Sequence, residues 1–166
     1  MTYFKTKKEN GFTLIEILIF MGLFSVILVV LTSLFASTVQ QQLETQGMSA
    51  VESDSTYIVS RMQYDFDRAD DVVLPVDFGD TGDTLTLVVG GQDYTYALNG
   101  SNLELTTPTA TYRVQGVRTS ISDLSFQKIG NSGGKPTVQL QMTITSLAEN
   151  TTGAETNQIQ TIFGIK

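Results

Sequence analysis

Two serines stand three residues ahead of a lysine, Ser125 before Lys128 and Ser132 before Lys135, the spacing a Ser/Lys nucleophile pair would need on a helix. Both pairs fall where strands and turns are expected. Positions three apart on a strand point to opposite faces, so Ser125 and Lys128 cannot converge. Ser132 and Lys135 lie in the glycine-rich stretch Gly130–Pro136, which reads as a solvated hairpin loop. That stretch is one residue short of a phosphate loop, and Pro136 stands where the hydroxyl residue belongs. Asp77, Asp80 and Asp83 share a loop with Gly79 and Gly82, and carboxylates in such a loop could offer oxygens to calcium. Their spacing of three is not the EF-hand spacing of two. A solvated acidic turn is the stronger reading, calcium the weaker one, and no other cofactor is expected. Histidine, cysteine and tryptophan are absent, which excludes thiol nucleophiles, Ser-His-Asp relays and Cys/His zinc sites. No enzyme is expected from this inventory. One carboxylate does stand out: Glu16 opens a long apolar run, where an ionisable side chain is costly.

The elements that hold these residues follow from the hydropathy pattern. The chain has 166 residues, with 10 basic and 17 acidic side chains and a net charge of −7. Ile17 to Leu43 contains no charge, and its first half is almost wholly apolar. About 20 apolar residues suffice for a transmembrane helix. Lys5, Lys7 and Lys8 precede the run, and the next basic residue after it is Arg61. The positive-inside rule then puts the N-terminus in the cytoplasm and the rest of the chain outside a single-pass membrane anchor. From Val39 to Val73 the apolar residues recur mainly every three to five positions, between glutamines and carboxylates, as on an amphipathic helix. No proline occurs before Pro75, so one helix from about Thr13 to Asp71 is expected, with Gly22 and Gly47 as weak points. Arg61 and Arg68 are spaced to pair with Asp65 near its end, on a solvated acidic face with Asp67, Asp70 and Asp71.

The remainder reads as short strands. Gly90-Gly91 and Asn99-Gly100 mark tight turns between 84–89, 94–98 and 103–106. Further strands are expected at 111–115, 123–129, 137–146 and 158–165. Val138, Leu140, Met142 and Ile144 alternate strictly with polar residues, so one face of their strand should be buried. The expected fold class is α+β, a long helix covering one face of an antiparallel sheet.

The residues Lys7-Lys8-Glu9-Asn10-Gly11-Phe12-Thr13-Leu14-Ile15-Glu16, followed by the apolar run, form a pattern that resembles the processing signal of type IV pilins and type II secretion pseudopilins. The resemblance implies cleavage between Gly11 and Phe12 by a prepilin peptidase, and N-methylation of the new Phe12 amine by the same enzyme class. It implies that Glu16 neutralises the N-terminal amine of a neighbouring subunit. The implied organisation is a leader over 1–11, a transmembrane half-helix over 12–39, an amphipathic half over 40–71 and a β-rich head over 72–166. The implied partners are other pilin or pseudopilin subunits, a membrane assembly platform and the lipid bilayer. Arg61 to Ala69, Tyr94 to Leu98 and Gly116-Val117 ahead of Leu124-Ser125-Phe126 resemble minor pilins and J-type minor pseudopilins more narrowly. The chain departs from many major pilins in having no proline in the membrane half and no cysteine pair. A tip pilin that captures DNA or another ligand is the alternative. The acidic balance argues against nucleic acid, with Arg113 and Arg118 the one local basic candidate.

Overall fold

The computed structural model describes residues 11–131, 133–150 and 153–166. The leader lysines Lys5, Lys7 and Lys8, and Ser132, lie outside the described residues. The chain forms two units, Met1–Gln41 and Gln42–Lys166, and each is taken by itself. One helix, α1 (Leu14–Phe66), begins in the first and ends in the second.

In the first unit α1 has no charged residue beyond Glu16, and its large apolar side chains from Phe12 to Phe35 are all exposed. An 18-residue window of this helix has a mean hydropathy of 2.9. By length and composition it can cross a membrane. Four of its five hydroxyl side chains are turned back on the helix. Ser25 donates to the Met21 carbonyl at 2.8 Å, Thr32 to Leu28 at 2.8 Å, Ser33 to Val30 at 2.8 Å and Thr38 to Leu34 at 2.9 Å. In hydrocarbon every polar group needs such an internal partner.

Among the described residues of the second unit nine strands follow α1: β1 (Ala69–Leu74), β2 (Thr81–Gly82), β3 (Leu85–Val89), β4 (Gln92–Asn99), β5 (Asn102–Thr106), β6 (Thr111–Arg113), β7 (Thr119–Ile129), β8 (Thr137–Asn150) and β9 (Gly153–Gly164). They make two antiparallel sheets rather than one, ordered β1-β3-β4-β5-β6 and β2-β7-β8-β9. The chain visits the second sheet briefly at β2 and leaves the first for good after β6. There the Leu103 amide bonds the Gln115 side chain at 2.7 Å, and β7 then pairs with β8. The expected α+β class holds. Gly90 and Gly91 form the two-residue β3–β4 turn, with φ of +58° and +76° that glycine adopts without strain. All four alternating residues of β8, Val138, Leu140, Met142 and Ile144, are fully buried.

Helix α1 packs on both sheets through Gly47, Val51, Ser55, Ile58, Met62, Asp65 and Phe66, a stripe at helical spacing. Phe66 stacks on Phe163 of β9 with ring centroids 5.0 Å apart, and Asp65 reaches Tyr96 of β4. Gly47 does not break the helix. A Cβ there would stand 3.2 Å from Ser146 Oγ, so the glycine permits close approach to β8.

The helix stops five residues short of the expected Asp71. Its last regular bond runs from the Asp67 amide to the Gln63 carbonyl at 2.9 Å. Arg68 then covers the terminus, donating through Nε to the Tyr64 carbonyl at 3.3 Å, where a cation suits the free carbonyls. Residues 69–74 pair with β3 instead, matching Val72 with Leu87. Asp70 is therefore a strand residue, and its carboxylate accepts from the Gly90 amide at 2.8 Å.

Candidate processing and assembly site

Gly11, Phe12 and Thr13 precede the helix outside any regular element, and all three are exposed. Thr13 ends that segment as an N-cap. The Glu16 amide donates to the Thr13 carbonyl at 3.1 Å and lies 3.4 Å from the Thr13 hydroxyl. Thr13-Leu14-Ile15-Glu16 has the form of a capping box, a signal that sequence reading passed over. It puts Glu16 in the first turn, the one acidic residue there, where the helix dipole favours negative charge. Phe12, Glu16, Ile17 and Phe20 line one groove of about 390 Å³. Phe20 stacks against Phe24 at 6.2 Å. A carboxylate thus stands one turn from the residue that would become the N-terminus, and no other charged residue lies on α1 before Glu44.

The other sequence candidates are not brought together. Lys128 is buried and spends its ammonium on the carbonyls of Val72 at 2.8 Å and Val76 at 2.9 Å, not on Ser125. The acidic loop closes on itself. Asp80 accepts from the Asp77 amide at 3.2 Å, and Asp83 accepts from the Thr84 hydroxyl at 3.1 Å. Among the described residues no three His, Cys, Asp or Glu side chains group as metal donors. Arg113 donates to the Gly116 carbonyl at 2.8 Å, and Arg118 lines a different groove against Gln46 and Ala50.

Asp65 corrects the expectation of a solvated acidic helix end. It is fully buried. It accepts from Arg61 Nε at 3.0 Å, from Arg68 Nη2 and from the Tyr96 hydroxyl at 2.5 Å. The pairings at i, i+4 and i, i+3 are as expected, but they are driven by burial. Nothing near Asp65 in sequence shows that Tyr96 lies opposite. Burial holds the Tyr96 hydroxyl above its ordinary value, assisted by the hydrogen bond to Asp65 and its charge, with Arg61 opposing. The folded state therefore keeps a proton that the unfolded state releases. This contribution to stability is complete below about pH 10 and declines as pH rises from there towards the folded value. Tyr96→Phe is expected to flatten that alkaline decline, read as urea midpoints of the full chain in detergent between about pH 8 and pH 11. An unchanged slope would contradict the assignment.

Comparison with family models matches residues 6–32 to the family described as the prokaryotic N-terminal methylation motif. The match covers the leader lysines Lys7 and Lys8, Gly11, Phe12, Glu16 and the first half of the apolar run, and supports the resemblance to type IV pilins and pseudopilins. No curated protein and no solved structure matches the chain.

Proposed function

We propose that this chain is a structural subunit, of minor type, of a type IV pilus-like filament or a type II secretion pseudopilus. The match over residues 6–32 carries the reading. The leader is removed between Gly11 and Phe12, the Phe12 amine is methylated, and α1 leaves the bilayer by packing against other subunits. The second unit stands on the extracytoplasmic side, in keeping with lysines that occur before the span and not directly after it. Glu16 compensates the positive amine of an adjacent subunit in a medium too apolar to leave either charge alone. The chain works by packing and not by catalysis. Loss of the leader, with three lysines and one glutamate, takes the mature chain to seven basic and sixteen acidic residues, a net −9.

The Gly11 step has a direct test. Gly11→Val adds a β-branched side chain to backbone that a protease must bind in extended form. The variant is expected to stay in the membrane fraction at full precursor mass. Processing of Gly11→Val at the wild-type rate would remove the proposed cleavage site.

A further inference from the structure

Three of the six tyrosines, Tyr57, Tyr94 and Tyr112, line one cleft in the 42–166 unit together with Arg61 and Arg113. Helix α1 forms one wall and β4, β5 and β6 the other, with β6 the outermost strand of its sheet. The cleft measures about 410 Å³, within the range of sites that hold one small ligand. Tyr57 and Tyr112 are 56% and 52% exposed, so their rings are accessible from solvent. Thr107 and Thr109 add hydroxyls at the rim.

Among the described residues two arginines and no carboxylate line the cleft, in an acidic chain. Asp65 offers one negative charge to two guanidinium groups, so the Arg61–Asp65–Arg68 cluster keeps a net +1. Arg113 donates to the Gly116 carbonyl at 2.8 Å and the Thr119 carbonyl at 3.4 Å, and no carboxylate among the described residues forms an ion pair with it. Two carboxylates stand close by, keep their charge and spend their hydrogen bonds on neutral donors. Asp54 accepts from the Gly116 amide and the Thr119 hydroxyl, and Glu104, opposite Arg113 in the β5–β6 register, accepts from Asn99 at 3.0 Å. Neither lines the cleft.

We propose that this cleft binds a terminal carboxylated sugar, its carboxylate meeting Arg61 and Arg113 and its ring lying against the tyrosines. Guanidinium groups favour carboxylates by charge-assisted, directional hydrogen bonds. Tyrosine and threonine hydroxyls match sugar hydroxyls, and aromatic faces match the apolar side of a pyranose. A neutral sugar gives Arg113 no counter-charge. A nucleic-acid strand brings one phosphate per nucleotide towards a chain of net −7, a repulsion that grows with the length of the strand. The inference concerns this unit alone and holds whether or not the chain enters a filament.

The test uses the full chain in detergent micelles, titrated calorimetrically with trigalacturonate, galactotriose and hexathymidylate. Tyrosine emission serves as a second readout, since the chain has no tryptophan. Saturable binding of trigalacturonate is expected, at least about tenfold tighter than galactotriose. Tyr57→Ala and Tyr112→Ala, both at exposed positions, should each weaken it about tenfold or more, with unchanged circular dichroism. Ile162→Ala, exposed on β9 and outside the cleft, should bind as the wild type does. No saturable binding of trigalacturonate, equal affinity for galactotriose, preference for hexathymidylate, or full affinity in both cleft variants would each overturn the proposal.

Discussion

Glu16→Val is expected to be processed normally and to fall at least about a hundredfold in its incorporation into sheared filaments. Within one chain the carboxylate does modest work. At the first turn of α1 it interacts with the helix dipole for about 0.3–1 kcal/mol, and the Thr13 cap persists without it. Between chains the same group would meet a protonated amine in an apolar bundle. Removing one partner of a buried ion pair costs about 3–5 kcal/mol, because the other charge stays behind. That cost corresponds to a factor of about a hundred or more in an assembly equilibrium. Two further variants separate the roles. Thr13→Ala removes a cap, a loss of about 1 kcal/mol, and should still assemble. Glu16→Asp keeps the charge and should assemble in part. Normal incorporation of Glu16→Val would remove the carboxylate from the account.

The second large effect belongs to the 42–166 unit. Asp65→Ala is expected to destabilise it by about 3–5 kcal/mol, a large share of the 5–15 kcal/mol that holds a typical domain. The substitution deletes the acceptor for Arg61, Arg68 and the fully buried Tyr96 hydroxyl together. It leaves a phenol and two guanidinium groups competing for no carboxylate. Asp65→Asn retains one acceptor oxygen and should fall between. Asp67, two residues on, pairs with Lys166 at 3.0 Å in the open, and Asp67→Ala should leave the urea midpoint close to wild type. Equal midpoints for Asp65→Ala and Asp67→Ala would show that the buried network contributes little.

The contrast between those two aspartates marks how far the sequence could be read. The N-terminal methylation motif is legible because it is local: Gly11, Phe12 and Glu16 stand at fixed distances between a basic stretch and an apolar run. The β3–β4 hairpin and the buried face of β8 were legible for the same reason, through Gly90-Gly91 and strict alternation. Asp65 was not, because only the partner 31 positions away on β4 makes it a core residue. The end of α1 was misplaced because apolar spacing continues through Val73. The Val72-Val73 pair and Leu74 ahead of Pro75 do favour an extended chain. What decided it was the ladder with β3, a tertiary contact. The split into two sheets likewise turns on the excursion after β6, where no turn motif announces a change of sheet.

Intact mass spectrometry of the chain recovered from its native membrane bears most directly on the reading. The mature protein should begin at Phe12 and carry one added methyl group on its N-terminal amine. A chain that still begins at Met1, or one cut elsewhere than between Gly11 and Phe12, would contradict it.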